Sequence, residues 1–167
     1  MTLTILLALP LLGALLVSLL GEAQKENIKK IALATSLVTF IAVLLLAIGF
    51  EINRPGFQYV ESYSWIPALG INFQVGLDGI SLILILLSTV LVPIVIVGGW
   101  NEAEGGRFKV KTFYVLLLIL ETMMIGVFAA TDLFLFYIFF EAMLVPVYFL
   151  IGGFGTCLLY TSPSPRD

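Results

Sequence analysis

Residues 120–155 read LETMMIGVFAATDLFLFYIFFEAMLVPVYFLIGGFG and contain the junction of two long apolar runs, 113–130 and 133–152. Each run is close to the roughly 20 residues that an α-helix needs to cross about 30 Å of hydrocarbon. Because only two residues separate the runs, the pattern predicts two antiparallel membrane helices joined by a tight turn. Each run also carries one carboxylic acid near its middle, Glu121 in the first and Glu141 in the second.

The rest of the chain repeats the apolar pattern three times, at 2–20, 31–50 and 80–100. Of the 167 residues, 60% are hydrophobic and only 11% are charged, and the mean hydropathy is +1.13. Since a soluble domain averages about 25% charged residues, the composition excludes a soluble fold and predicts an all-α membrane protein with five transmembrane helices. The first run has no Lys or Arg before it and is too long for a signal peptide, so we interpret it as a retained span.

The composition also limits which partners and cofactors the chain can bind. The net charge is −3 with only eight Lys plus Arg, which leaves no basic face for nucleic acid. With one cysteine and no histidine, the chain cannot by itself build a disulfide framework, a haem pocket or a zinc site. We therefore expect a lipid bilayer around the chain, no nucleic-acid partner, and neither a metal site nor a cofactor in this chain.

Basic residues are distributed unevenly between the predicted loops. Segments 21–30 and 101–111 hold six of them, and the two other connections hold only Arg54. The six are Lys25, Lys29, Lys30, Arg107, Lys109 and Lys111. Since cytoplasmic loops collect Lys and Arg, this bias predicts that both basic segments face the cytoplasm and that the N-terminus and residues 51–79 lie outside.

The outer segment between the second and third helices has a different periodicity. Over residues 71–78, apolar side chains alternate with Asn, Gln, Gly and Asp, the period of two that is typical of a half-buried strand. Residues 57–65 alternate less cleanly, and Pro67 and Gly70 between the two stretches can supply a turn. The pattern predicts a small β-hairpin at the outer interface, with an irregular loop as the alternative.

Most of the eleven carboxylates have a structural explanation. Asp78 directly precedes the third helix, and Asp132, or Thr131 beside it, precedes the fifth, so we predict them as N-caps. Seven others lie in predicted loops or in the tail, where solvation suffices: Glu22, Glu26, Glu51, Glu61, Glu102, Glu104 and Asp167.

Glu121 and Glu141 differ, because an ionised acid in the middle of a membrane helix costs about 2.5 to 3.5 kcal/mol. Counted from the turn, both lie at a depth of about 12 to 14 Å. Helical spacing places Glu121 on one face with Tyr114, and Glu141 on one face with Tyr137 and Tyr148. Each acid thus has a phenol within about two turns, which indicates a polar seam. If the two carboxylates also approach each other in low dielectric, one of them would hold a proton at neutral pH, as a proton relay requires. The alternative is that both stay protonated and only hydrogen-bond neighbouring helices.

The sequence changes character after Gly155. Residues 156–167 read TCLLYTSPSPRD, in which Pro163 and Pro165 forbid a helix and polar residues replace the apolar pattern. We predict a disordered tail that is foreign to residues 1–155, the five-helix part of the chain.

Three stretches of the chain resemble one protein family. They are LPLLGALLVSLL near the N-terminus, VGLDGISLILILLSTVLVPIVI, and residues 120–155 quoted above. Together they resemble subunit M of bacterial NADH-quinone oxidoreductase, respiratory complex I, whose mitochondrial counterpart is chain 4. The resemblance covers about residues 1–155, and FFEAMLVPVYFLIG joins an acid, a proline and a tyrosine in the family's order.

The resemblance implies an antiporter-like membrane subunit of fourteen helices, of which this chain matches the first third. By that resemblance Glu141 matches the functional glutamate of the fifth helix, which moves a proton together with a lysine on the seventh helix, outside this chain. Glu121 is assigned only an accessory role. The implied partners are other membrane-arm subunits in the bacterial inner membrane, and the redox chemistry is expected to occur in partner subunits. The subunit itself is non-redox, and the fragment alone is expected to be inactive.

Two rival functions fit the same residues. One is the homologous subunit of a multisubunit sodium/proton antiporter or of a membrane-bound hydrogenase. The other is a non-transporting scaffold in which both glutamates only join helices. In the scaffold, both acids should tolerate replacement by Gln, since a neutral amide still hydrogen-bonds.

Overall fold

The computed structural model describes residues 2–21, 25–53, 55–98 and 110–154. Within them the chain forms five α-helices and one two-stranded antiparallel sheet. The helices are α1 (Thr2–Leu19), α2 (Lys25–Ile48), α3 (Gly79–Gly98), α4 (Val110–Ala129) and α5 (Leu133–Phe154), and the strands are β1 (Gln58–Ile66) and β2 (Ile71–Leu77). The predicted disordered tail, 156–167, and the basic residues Arg54, Arg107 and Lys109 lie outside the described residues.

The structure confirms the five predicted apolar helices. Helices α2 to α5 are each long and apolar enough to cross a membrane, and α1 is an apolar helix of 18 residues. Helix α2 begins at Lys25, ahead of the apolar run predicted from residue 31, because Lys and Glu are good helix formers. Helix α4 packs against each of the other four helices, whereas α5 packs mainly against α4 and β2.

Two apolar clusters form the core, one at each end of the bundle. The outer cluster lies at the end that carries the sheet and consists of Leu3, Leu6, Leu7, Val43, Leu46, Val75, Leu77, Leu82, Ile85, Ile125, Ala129 and Leu135. The inner cluster lies at the other end of α1 to α4 and consists of Ala14, Val17, Ile28, Ala32, Val92, Ile96, Val110, Tyr114, Leu117 and Leu118. Between the clusters, near the middle of α2, α3 and α4, the buried side chains are polar.

The segment between α2 and α3 forms the predicted hairpin and not an irregular loop. Strand β1 pairs antiparallel with β2, and a short 3-10 turn at Pro67–Leu69, followed by Gly70, connects them. Gly70 has a φ of 69°, the left-handed conformation that glycine adopts without steric cost. Strand β2 also contacts the α4–α5 turn, because the Thr131 N–H donates to the Gln74 carbonyl at 2.9 Å. The hairpin therefore lies directly on the outer end of the bundle.

Lysine side chains occupy the inner ends of the helices. Lys111 Nζ donates to the carbonyls of Ser18 and Leu20, each at 3.1 Å, at the end of α1 where the helix dipole favours a cation. This contact places the end of α1 and the start of α4 on one side of the bundle, as the charge pattern predicted. Lys29, predicted in a solvated loop, is instead part of α2 and only 1% exposed. The direction of the bundle across the membrane stays a prediction.

Candidate functional site

Helix α4 carries Glu121 into the interior of the bundle. Its side chain is 0% exposed, and so is Tyr114, which lies two turns earlier on the same face as helical spacing predicted. Among the described residues, neither carboxylate oxygen of Glu121 has a hydrogen-bond partner. Folded proteins rarely leave a buried polar group in this state, so Glu121 is a strong candidate for a functional residue.

Glu121 belongs to a layer of buried polar side chains at mid-height of the bundle. The other members are Ser36 and Thr39 on α2, Ser88 and Thr89 on α3, and Thr122 on α4, none of them more than 6% exposed. Along its own helix, each member lies between residues of the outer cluster and residues of the inner cluster. This polar layer therefore separates the two apolar clusters.

The hydroxyl groups of the polar layer already donate to backbone carbonyls. The four Ser and Thr side chains of α2 and α3 each donate to a carbonyl of their own helix, at 2.8 to 3.0 Å. Thr122 Oγ1 donates across to the Leu7 carbonyl of α1, at 3.0 Å. Each hydroxyl oxygen keeps lone pairs that can accept. The hydroxyl protons of the polar layer are thus engaged with backbone carbonyls, and none of them is donated to Glu121.

Helix α5 carries Glu141 on an exposed face, unlike the buried Glu121 of α4. Glu141 is exposed and shares its face with Tyr137 (58% exposed), Leu144, Val145 and Tyr148 (73% exposed). The predicted sharing of a face by the acid and the two tyrosines is confirmed. The described residues do not cover this face of α5, whereas the face of α4 that carries Glu121 is buried inside the bundle.

Within the described chain, the two acids do not come together in one site. Glu121 lies in the interior, and no hydrogen bond joins it to Glu141. Helix α5 instead meets α4 through side chains such as Phe139, whose ring lies against Gly126. Spacing could not decide whether the acids approach each other, because it tells which residues share a helix face but not which face turns toward a neighbour. The acids form two separate sites, one inside the bundle and one on its surface.

Glu61 is a buried acid that sequence reasoning placed in a solvated loop. It is 8% exposed, and its carboxylate accepts from the N–H groups of Leu3 at 2.6 Å and Thr4 at 3.2 Å and from the Thr4 hydroxyl at 2.9 Å. Burial alone would raise the pKa of Glu61, but hydrogen bonds to the carboxylate lower it below its ordinary value. Glu61 therefore caps α1, which has no acidic residue in its own first turn.

The two predicted N-caps are confirmed. The Ser81 N–H donates to Asp78 Oδ1 at 2.7 Å, and this bond lowers the pKa of Asp78 below its ordinary value. At α5, the N–H groups of the second and third helical residues donate to Asp132 Oδ1 at 2.9 and 3.2 Å, so the cap is Asp132 and not Thr131. The two aspartates therefore stabilise the N-terminal ends of α3 and α5.

No group of three or more His, Cys, Asp or Glu side chains converges within residues 2–21, 25–53, 55–98 and 110–154. The chemistry that Glu121 and Glu141 offer is the binding and release of a proton. Fold and site together define a multi-pass membrane protein with ionisable groups at the depth of the hydrocarbon.

Comparison of the sequence with models of protein families then identifies the family of this chain. Residues 3–127 match the family model described as NADH-ubiquinone oxidoreductase chain 4, amino terminus, and the chain belongs to this family. The match confirms the resemblance that the sequence motifs indicated.

Two curated relatives have similar sequences. The chain is 37% identical to NADH-quinone oxidoreductase subunit M of Mycobacterium tuberculosis, over 92% of this chain and 32% of the relative. It is 41% identical to subunit M of Rhodobacter capsulatus, over 92% of this chain and 30% of the relative. The chain thus spans about a third of the length of these relatives. The apolar helices and this homology identify a multi-pass protein of the bacterial inner membrane.

Solved structures contain the same fold. In respiratory complex I from Thermus thermophilus with bound NADH, one chain matches with a TM-score of 0.71 and 27% identity, over 90% of this chain and 28% of that chain. In the Mrp complex from Dietzia sp., one chain matches with a TM-score of 0.73 and 20% identity, over 99% of this chain and 16% of that chain. The second likeness shows the fold alone.

Proposed function

We propose that this chain is the N-terminal part of a proton-translocating membrane subunit of NADH-quinone oxidoreductase. In this proposal Glu141 takes up and releases the transported proton, and Glu121 is an accessory carboxylate. The subunit carries no redox cofactor and couples quinone reduction in partner subunits of the membrane-bound complex to proton movement.

The observation that carries the proposal is the position of Glu141 on α5. The acid lies near the middle of the helix, on a face with two tyrosines that the described residues leave open. An ionisable group at this depth is costly against lipid, so the face requires a polar cover. The relatives are about three times as long as the matched region, and we propose that further helices or a neighbouring membrane-arm subunit supply that cover.

A cation in that cover would control the proton on Glu141. A positive charge close to the carboxylate stabilises its ionised form, and withdrawal of the charge favours return of the proton. The lysine on the seventh helix that the family resemblance implies would fill this role. Movement of such a charge pair links a distant reaction to proton release without a redox group in this chain.

The rival scaffold function predicts that both acids join helices. Among the described residues Glu121 makes no hydrogen bond to any helix, which speaks against that role. The rival antiporter function gains only a shared fold from the Mrp complex, whereas the family match concerns the sequence of residues 3–127. Both observations support the oxidoreductase subunit.

The test is Glu141→Gln in the full-length subunit, assembled in its complex. Proton pumping and NADH-driven quinone reduction are measured in parallel, in sealed vesicles with and without an uncoupler. We expect a severe loss of pumping, because Gln is close in size but cannot release a proton. Undiminished pumping by Glu141→Gln would remove this residue from the mechanism.

The matched control is Glu26→Gln, which neutralises an exposed acid in the first turn of α2. This variant should pump like the wild type. Equal losses in Glu26→Gln and Glu141→Gln would indicate a general effect of charge or assembly, and would contradict a specific role for Glu141.

A further inference from the structure

The polar layer around Glu121 is not explained by helix packing. Membrane helices gain little from burying an acid at mid-height, and a layer of small apolar residues would pack as closely. Here six polar side chains from three helices, Glu121 included, lie between two apolar clusters, and all are at most 6% exposed. The acid is the one member whose oxygens lack a hydrogen-bond partner among the described residues of the layer.

We propose that the polar layer is a water-binding site in which Glu121 holds an exchangeable proton, separate from the open face of α5. The hydroxyl oxygens of the layer and the Glu121 carboxyl can together give a buried water the two to four polar partners that it typically has. This proposal deepens the proposed function and rests on it only for what the proton is used for. That Glu121 carries a proton is argued from the structure alone.

The charges around the layer support a neutral Glu121. Helices α1 and α3 and strand β2 contain no charged side chain among the described residues. The charges of α2 all lie within its first two turns, between Lys25 and Lys30, and α5 carries only Glu141, on its exposed face. Lys111 at the start of α4 is about 15 Å from Glu121 along the helix axis. By its place in the helix, Lys29, the buried cation of α2, lies about 10 Å along the axis from Ser36 of the layer, so the layer itself contributes Glu121 as its one ionisable member.

The hydroxyl geometry indicates how the proton would be held. The hydroxyl protons of α2, α3 and Thr122 are engaged with backbone carbonyls, so the remaining lone pairs point to a donor as their partner. A protonated carboxyl donates one hydrogen bond, and a water can relay it to a hydroxyl oxygen. A carboxylate in the same place would receive no hydrogen bond from the described residues and would be costly to bury. The layer thus suits storage of a proton on Glu121 with exchange through water.

The test is infrared difference spectroscopy on the full-length protein in its assembled complex, at neutral pH. The carbonyl band of a protonated carboxylic acid should appear in the wild type, disappear in Glu121→Gln and persist in Glu26→Gln. In D2O the band should shift, because a proton that exchanges through water is replaced by deuterium. Thr89→Val, which removes one layer hydroxyl with little change of volume, should alter the frequency of the band.

Two outcomes would overturn the inference. If the spectra of the wild type and Glu121→Gln show no difference in the carboxylic acid region, Glu121 is ionised and the layer stores no proton. If the band is present but never shifts in D2O, the site is sealed and does not exchange. Should Glu121→Gln fail to assemble, Glu121→Asp serves instead and should retain a band at an altered frequency. Repeating the measurement in Glu141→Gln separates the two proposals, because the Glu121 band should survive there even when pumping is lost.

Discussion

The contact between the hairpin and α1 can be tested through Glu61. Its carboxylate accepts three hydrogen bonds from Leu3 and Thr4, and the side chain is 8% exposed. Glu61→Gln keeps the size of the side chain, but it removes the charge and turns an NH2 group toward one or more of these donors. A lost N-cap costs about 0.5 to 2 kcal/mol, and hydrogen bonds to a charged group are worth about 1.5 to 3 kcal/mol, partly retained by the amide oxygen.

We therefore expect Glu61→Gln to lower the free energy of unfolding by about 2 kcal/mol at neutral pH, on the order of a 30-fold change in the folding equilibrium. The assay is reversible unfolding of the purified protein in mixed detergent micelles, followed by tryptophan fluorescence. Glu51→Gln, which neutralises an exposed acid just before the hairpin, is the control and should unfold like the wild type.

The same substitution makes a prediction about pH. The folded-state pKa of Glu61 lies below its ordinary value of 4.5, so its contribution to stability is present above that pH and is lost as the pH falls toward the folded-state pKa. The difference between the wild type and Glu61→Gln should therefore be largest near neutrality and shrink below about pH 4.5. Equal stability at pH 7, or a difference that acidification leaves unchanged, would refute the argument that the ionised carboxylate caps α1.

Two further predictions concern α4 and α5. Gly126→Ala should destabilise the bundle by about 1 to 3 kcal/mol, because the new Cβ would lie 2.5 to 2.7 Å from ring atoms of Phe139, and thermal unfolding in detergent would measure the loss. Gly152→Ala, whose Cβ would meet nothing within 4 Å, should be neutral or slightly stabilising, and equal effects at the two glycines would contradict the close packing. Asp132→Ala should cost about 0.5 to 2 kcal/mol in the same assay, and Asp132→Asn much less, because Asn keeps the capping oxygen. An Asn variant as unstable as the Ala variant would show that the charge and not the cap matters.

Local features of the fold could be predicted from the sequence. The alternation over residues 71–78 predicted β2, and Asp78 and Asp132 were recognised as N-caps, because each depends on side chains within a few positions. The apolar runs likewise located all five helices to within a few residues at most ends. The start of α2 was missed, since Lys25 to Lys30 form a charged helical segment that hydropathy alone reports as loop.

The candidate site could be predicted only in part. Residue spacing correctly paired Glu121 with Tyr114, but it could not say that this face turns inward while the Glu141 face turns outward. Glu61 was missed for a related reason, because its partners Leu3 and Thr4 are 58 and 57 positions away in the chain. Such contacts depend on how whole helices pack, and periodicity within one helix carries no information about that.

The side-chain hydrogen bonds at the two ends of α1 have a consequence for biogenesis. Its first N–H groups are satisfied by Glu61 and its last carbonyls by Lys111, which lies 91 and 93 positions further along the chain than its partners. When α1 has just left the ribosome, neither Glu61 nor Lys111 has been synthesised. α1 therefore enters the bilayer with unpaired N–H groups at one end and unpaired carbonyls at the other. α1 can therefore reach its final hydrogen bonding only after the nascent polypeptide has been extended past residue 111, although it precedes both of its partners in the chain.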